Sequence, residues 1–226
     1  GGGAYNTICY DSEVVGNTAT QGGGGTQGGK IYNSVIANNE CALSSESYGG
    51  GAYHGELENC LIYGNRAIKS SAGGVSLAVC RNCTIYGNSG LGTHGWLVNG
   101  LPVGTNFNCI VFGNTGLVQI DARMASFNCY TNDPQFIRAE AGDFRLRYNS
   151  PCINAGNNAY VTNTVDFAGN ARIDNNTVDI GAYEYSASDD TNFTVQVANG
   201  TGGAIYYEGD TVIVAAEDRS PRYAFT

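Results

Sequence analysis

The sequence is poor in charged residues, in proline and in stretches of strong helix formers. Only 14% of its 226 residues are charged and only 4 are proline, and no segment is rich in alanine, leucine, glutamate and lysine together. A helical bundle and a doubly wound α/β fold both require such segments, so these classes are excluded. The chain is instead rich in glycine, asparagine and tyrosine, with 33, 25 and 15 residues respectively. This composition favours an all-β protein with many turns.

Positive charge and long apolar runs are also scarce. Lys and Arg number 11 against 20 Asp and Glu, which gives a formal net charge of −9, and no cluster of basic residues is longer than two. Proteins bind nucleic acids and acidic membrane surfaces through basic stripes, so no nucleic-acid partner is predicted and acidic membrane surfaces are disfavoured. No apolar run approaches the roughly 18 residues of a membrane-spanning helix.

A short phrase recurs along the first half of the chain. Its copies start 22, 26, 23 and 26 residues apart, and a Gly-rich run ends eight residues before each of the first four. Two phrases that keep the same phase indicate one structural unit repeated along the chain. The unit is too short for a helix pair and its apolar residues alternate, so residues 1–132 are predicted to form about six coils of a parallel β-helix. The five full copies are Asp11–Asn17, Asn33–Asn39, Asn59–Asn65, Asn82–Asn88 and Asn108–Asn114.

Alternation within the phrase assigns its side chains to the inside or the outside of the coil. Ile62, Ile85 and Val111 are predicted to point inward, as are the cysteines two residues before them. The Asn that closes each phrase falls at a turn, where stacked Asn side chains hydrogen-bond from coil to coil. The Gly that precedes four of these residues is predicted to adopt a positive φ. The predicted asparagine ladder comprises Asn17, Asn39, Asn65, Asn88 and Asn114.

Four of the eight cysteines, Cys60, Cys83, Cys109 and Cys129, share one column of the coils. Free cysteine is often buried and behaves as a small apolar side chain, so we interpret this column as core. Strands of neighbouring coils lie about 5 Å apart, which a disulfide tolerates, so bridges within the column are the alternative. A zinc site is not favoured, because no second cysteine pair with zinc spacing accompanies the C-x-x-C motif at 80–83.

An apolar stripe of Tyr63, Tyr86 and Phe112 is predicted to point outward from the coils. Exposed apolar ladders usually mark something that covers them. One interpretation is that a long loop of the same chain, such as residues 91–103, lies over the stripe. The other is that the stripe docks a glycan or another protein.

A different series of motifs follows residue 132. It comprises Asp133–Phe136, Gly142–Leu146, Ser150–Gly156, Asp166–Arg172 and Val178–Glu184. This series closely resembles the C-terminal end of bacterial choice-of-anchor Q proteins, which are secreted or surface proteins of the pectin-lyase-like superfamily. The Gly-Gly-Gly-Ala and Tyr-Gly-Asn phrases also resemble the repeats of chlamydial polymorphic outer-membrane proteins. The resemblance covers about residues 1–186 and implies a right-handed β-helix at the bacterial cell surface, with 133–186 as its terminal coils and cap, but it implies no reaction.

Acids cluster in this terminal series around a single arginine. We interpret Asp166, Asp174, Asp179 and Glu184, with Arg172, as a structural ion-pair network that closes the core. The alternative is a calcium site formed by the three aspartates, and no other cofactor is predicted.

Residues 191–226 read as two alternating strands around a Gly turn, preceded by a linker at 187–190. This segment resembles the start of an InlB-type B-repeat, a small β module of bacterial surface proteins. Because such modules continue further, and because the opening Gly-rich run lies inside a repeat, we expect the sequence to be a piece of a longer protein.

The outward positions of the phrase offer little for catalysis. They carry one acid, Glu13, and lysine occurs in the chain only at Lys30 and Lys69. Lyases and hydrolases on this fold need clustered acids, often with a basic partner. His94 lies in a Gly-Thr-His-Gly segment without an aspartate pair, and we interpret it as a solvated loop residue.

We therefore expect a non-catalytic, secreted or cell-surface scaffold or adhesin-like segment that binds an extracellular glycan or a surface protein. One alternative is a carbohydrate-active enzyme, a lyase or hydrolase of the pectate-lyase type. Another is a structural fibre subunit that self-associates along the aromatic stripe.

Overall fold

The computed structural model describes residues 1–42, 49–68, 72–189, 192–198, 200–207 and 210–216. For residues 96–98, 192–193, 200, 207 and 216 it describes the backbone alone. Lys69, and residues 190, 191, 199, 208–209 and 217–226 of the predicted linker and C-terminal module, lie outside the described residues. The chain divides into two compact units, Gly1–Tyr185 and Ser186–Thr226.

The first unit is a parallel β-solenoid, which confirms the predicted all-β fold. Sheet A consists of Ala4–Tyr5, Thr26–Gln27, Ala52–Tyr53, Ala72–Ser76 and Leu91–His94. Sheet B consists of Ile8–Tyr10, Lys30–Tyr32, Glu56–Glu58, Val79–Arg81, Thr105–Phe107 and Ala125–Phe127. Sheet C consists of Glu13–Val15, Val35–Ala37, Leu61–Tyr63, Thr84–Tyr86 and Ile110–Phe112. The short sheet D consists of Thr18–Ala19, Glu40–Cys41 and Arg66–Ala67.

Each strand pairs with its equivalent one coil later, so equivalent side chains form columns. Ile62 pairs with Ile36 on one side and Ile85 on the other, and Ile85 pairs with Val111. Sheets A and C have five strands and only sheet B has a sixth. The solenoid therefore has about five complete turns rather than six, because residues 115–124 contribute a single bridge, Thr93 with Ile120, where a further strand of sheet A would lie.

Residues with a left-handed backbone conformation form the corner between sheets B and C and the corner that follows sheet C. Every B-to-C corner has Asp or Asn with φ between 47° and 52°, a conformation that Asn and Asp tolerate best after Gly. The corner after sheet C has Gly16, Gly64, Gly87 and Gly113 with φ between 59° and 70°. The predicted positive φ of these four glycines is thus confirmed. The B-to-C corner residues are Asp11, Asn33, Asn59, Asn82, Asn108 and Asn128.

The inside of the solenoid is a continuous apolar core. Its central column of Ile36, Ile62, Ile85 and Val111 is fully buried, as predicted from the alternation. Burying a side chain of this size contributes roughly 1.5–3 kcal/mol. Neighbouring columns add Ile31, Leu57, Val75, Cys60, Cys80, Cys83 and Cys109.

The rest of the first unit folds onto the outside of sheet C. Phe136–Arg138 and Asp143–Leu146 form an antiparallel pair, joined by a 3-10 turn at Ala139–Ala141. A second 3-10 turn lies at Asn158–Tyr160. We call residues 133–185 the covering segment.

Two smaller antiparallel elements complete the description. In the first unit, Trp96–Val98 and Leu101–Val103 form a hairpin. The second unit pairs Asn192–Val195 with Ala204–Tyr207 and Gly200–Thr201 with Ala215–Ala216. Within the part of the chain that the structure describes, no helix is long and apolar enough to cross a membrane.

Candidate functional site

The five ladder asparagines form one hydrogen-bonded column. Asn65 illustrates the pattern: its backbone N–H and its Nδ2 both donate to Asn88 Oδ1, at 2.9 Å each. Its Nδ2 also donates to the Ile36 carbonyl at 2.8 Å. Each side chain thus satisfies backbone groups at a corner where the sheet ladder is interrupted. Equivalent bonds join Asn17 to Asn39, Asn39 to Asn65, and Asn88 to Asn114.

The ladder ends on a residue that the repeat does not predict. Gln119 Oε1 accepts from the backbone N–H and the Nδ2 of Asn114, at 2.9 and 3.0 Å. Gln119 Nε2 returns a bond to the Asn114 carbonyl at 3.0 Å. A glutamine from the next segment therefore occupies the position that a sixth ladder asparagine would take.

The four cysteines of the predicted column line the solenoid core. Cys60, Cys83 and Cys109 are fully buried, Cys129 is partly buried, and all are free thiols. Each donates to a backbone carbonyl, as Cys60 does to Glu58 at 3.2 Å. Burial raises the pKa of the Cys83 and Cys109 thiols well above its ordinary value, so both are neutral and unreactive.

The aromatic stripe is covered by the same chain. The Phe144 ring lies 5.1 Å from Tyr63 and 5.3 Å from Tyr86, and Phe136 lies 5.8 Å from Tyr86. Phe112 packs against the same cluster. The covering segment lies over the stripe, whereas residues 91–103 form a sheet A strand and the hairpin. The stripe is thus largely covered within this unit and its three side chains are half-buried, although Tyr86 and Phe112 still line an open pocket of about 330 Å³.

Arg172 lies at the centre of the terminal series and is 1% exposed. It donates to Glu184 Oε1 from Nε at 3.0 Å and from Nη2 at 2.6 Å, and to the Ala182 carbonyl from Nη1 at 3.0 Å. Burial raises the pKa of Glu184, and the arginine opposes this shift. A buried ion pair is costly unless its hydrogen bonds are satisfied, as they are here.

The three calcium candidates point to different partners. Asp166 accepts from the backbone N–H groups of Ala168, Asn170 and Glu184, and Asp179 from those of Asn154 and Tyr185. Asp174 is exposed and bonds to Asn175. Among the described residues, no group of three or more His, Cys, Asp or Glu is placed to hold a metal ion. The arrangement therefore gives no support to a calcium site.

The interpretation of His94 as a solvated loop residue is wrong. His94 ends a strand of sheet A and is fully buried. Its Nε2 lies 2.8 Å from Arg123 Nη2, which can only donate, so the proton is on Nδ1, 3.4 Å from Ser76 Oγ. Burial lowers the pKa of His94, which keeps it neutral. Ser76 is also fully buried, so this cluster offers no nucleophile to a substrate.

An open groove lies beside the outer face of sheet B, which the repeat phrase does not include. Its volume is about 370 Å³. The Tyr10 and Tyr32 rings stack there with centroids 4.9 Å apart and planes 10° apart, and Tyr10 is 62% exposed. The lining residues are Tyr10, Asp11, Tyr32, Asn33, Asn59, Thr162, Asn163, Thr164 and Val165.

Hydrogen bonds to the coils and within the covering segment fix the far wall of this groove. Asn59 Nδ2 donates to the Val165 carbonyl at 2.6 Å, and the Arg172 backbone N–H donates to the Thr164 carbonyl at 2.9 Å. The hydroxyl of Thr162 donates to Glu58 Oε1. The wall is therefore preformed, in the manner of a binding site that does not need to close.

Charged side chains next to the groove have partners within the protein. Lys30 Nζ lies 3.2 Å from Glu56 Oε2. Arg81 Cζ lies 5.1 Å from the centre of the Phe107 ring. Burial raises the pKa of Glu58, which is 9% exposed beneath the groove wall.

This face was not predicted, because the outward column of sheet B lies one residue outside the repeat phrase. The residues of the sheet B column stand directly before the first Asp or Asn of each copy. That position reads Tyr10, Tyr32, Glu58, Arg81, Phe107 and Phe127, which the strand register aligns. Extending the phrase by one residue would have revealed it.

A comparison of the chain with protein-family models, with curated proteins and with solved structures found no match.

Proposed function

We propose that this protein is a non-catalytic, secreted or cell-surface β-solenoid that binds an extracellular glycan in the groove beside sheet B. The observation that carries the proposal is the pair of stacked tyrosines, Tyr10 and Tyr32, next to a fixed wall of Asn and Thr residues. Aromatic rings provide an apolar platform for the faces of a sugar, and amides and hydroxyls bond to its hydroxyl groups.

The surroundings of the groove support binding over catalysis. Glu58 is held by Thr162, and Glu56 by Lys30. The cap acids Asp179 and Glu184 are bonded within the covering segment. A hydrolase needs a pair of carboxyl groups open to the scissile bond.

The resemblance of residues 133–184 to choice-of-anchor Q proteins supports the cell-surface setting, and the InlB-like segment supports the same setting. The fibre alternative has less support, because the aromatic stripe on which copies would associate is packed against Phe136 and Phe144.

A glycan array tests this proposal together with a polysaccharide-degradation screen. We expect the full chain to bind at least one class of glycan and to depolymerise none. Tyr32→Ala should abolish that binding. Tyr5→Ala is the matched control, because Tyr5 is a 69% exposed tyrosine on sheet A, one coil before Tyr32.

Two results would overturn the proposal. Depolymerisation of any polysaccharide would favour the enzyme alternative, for which Glu58 is the candidate acid because burial raises its pKa. Binding that Tyr32→Ala leaves unchanged would place the ligand elsewhere.

A further inference from the structure

We infer that the groove beside sheet B selects neutral glycans and rejects acidic ones such as uronates. This inference rests on the proposed function and adds the chemical class of the ligand. Its evidence is the distribution of charge around Tyr10 and Tyr32.

The groove lining contains one charged side chain, and it is negative. Among the described residues that line the groove, Asp11 is the acid and none is Lys, Arg or His. Asp11 Oδ1 accepts from Asn33 Nδ2 at 2.6 Å, which fixes the carboxylate at the groove floor. A uronate carboxylate placed on the tyrosines would meet a like charge.

The bases around the groove already have partners. Lys30 Nζ lies 3.2 Å from Glu56 Oε2, and this hydrogen bond raises the pKa of Lys30. Arg81 lies over the Phe107 ring. Recognition of a carboxylate or sulfate normally uses a base that is free to form paired hydrogen bonds, and the groove lining offers none.

The remaining lining residues suit hydroxyl groups. Asn163 and Thr164 carry side chains that donate and accept, and the oxygen of Thr162, whose hydroxyl donates to Glu58, can still accept. A carboxylate such as that of Asp11 accepts from sugar hydroxyls as well. Neutral sugars present donors and acceptors with no net charge, so they match this lining.

Matched pairs of oligosaccharides test the inference by calorimetric titration. Each pair has one backbone in a neutral and an acidic form: a manno-oligosaccharide with its mannuronate counterpart, and a galacto-oligosaccharide with its galacturonate counterpart. For the pair that binds, we expect the neutral member to bind at least about tenfold more tightly, because like charges at close range repel. Asp11→Asn should reduce this ratio, since Asn occupies the same corner in other coils without strain.

The outcomes separate this inference from the proposed function. If the acidic member binds as tightly as the neutral one and Tyr32→Ala abolishes both, the inference of charge selection is wrong and glycan binding in the groove stands. If an array of neutral and acidic glycans shows no binding that depends on Tyr32, the proposed function falls and the inference falls with it. If the ratio is unchanged in Asp11→Asn, Asp11 is not its cause and the inference is overturned.

Discussion

The outer faces of sheets B and C run along the same coils, yet the tyrosines of one are open and the aromatic column of the other is half-buried beneath the covering segment. Sheet C carries Tyr63, Tyr86 and Phe112, which the covering segment packs against Phe136 and Phe144. Sheet B carries Tyr10 and Tyr32, which stack on each other beside an open groove. Aromatic residues in an outward column therefore do not identify a binding face. What identifies it is whether the rest of the chain lies over that column.

The largest loss of stability is expected from a variant that disrupts the packing over sheet C. Phe144 is 1% exposed in the middle of the cluster. Phe144→Ala should lower the free energy of unfolding by about 3–5 kcal/mol, because it removes a buried ring and leaves a cavity. Chemical denaturation of wild type and variant measures the difference.

Tyr10→Ala is the control for this comparison, since Tyr10 is an exposed ring on sheet B. It should lower the free energy of unfolding by no more than about 1.5 kcal/mol, the contribution of its stack on Tyr32. Equal losses in the two variants would contradict the distinction between a buried and an open face.

A second variant tests the ion pair inside the covering segment. Arg172→Met leaves Glu184 buried without its partner, so we expect a loss of about 3–5 kcal/mol, or less where Glu184 takes up a proton. Arg66→Met is the matched control, because Arg66 pairs with Glu40 at 3.2 Å on the exposed surface. A pair of that kind contributes about 0–1 kcal/mol. A similar small loss in Arg172→Met would show that this network does not hold the segment in place.

A smaller loss of stability is expected from a variant at the corner between sheets B and C. Asn59 stands at a corner between sheets B and C, donates to the Val165 carbonyl and accepts from Arg172. Asn59→Gly keeps its positive φ of 50° and removes both bonds, which should cost about 1–3 kcal/mol. It should also weaken glycan binding, because Val165 forms part of the groove wall.

Asn128→Gly is the control for this variant, since Asn128 is exposed and has a φ of 52° at the equivalent corner. Its stability and its binding should stay close to those of wild type. If both glycine variants bind as well as wild type, the bond from Asn59 does not position the wall.

Periodicity predicted the repeated features well and the single ones poorly. The inward column of Ile62, the corner glycines such as Gly64 and the bonds of Asn65 recur from coil to coil, so one phrase was sufficient to predict them. The contact of Asn59 with Val165 spans 106 residues and occurs once. Local alternation does not encode such a contact.

One wrong interpretation, that of His94, and one residue that was not predicted, Gln119, show the same limit. His94 follows glycine and threonine in a segment that resembles a loop. The structure places it on a strand, where it is fully buried and its Nε2 accepts from Arg123 Nη2. Gln119 takes over the end of the asparagine ladder, although its own sequence context does not match the phrase. His94 ends the first strand of the fifth coil and Gln119 follows the last strand of that coil, where the repeat is no longer regular.

The most direct test of the account is hydroxyl-radical labelling of tyrosine side chains, read by mass spectrometry, with and without a mixture of neutral manno- and galacto-oligosaccharides. We predict that Tyr10 and Tyr32 are labelled in the free protein and protected by the sugars. Tyr63 and Tyr86 should be labelled much more slowly under both conditions, because the covering segment shields them. Protection at Tyr86, or labelling of Tyr10 and Tyr32 that the sugars leave unchanged, would contradict the assignment of the groove beside sheet B as the binding site.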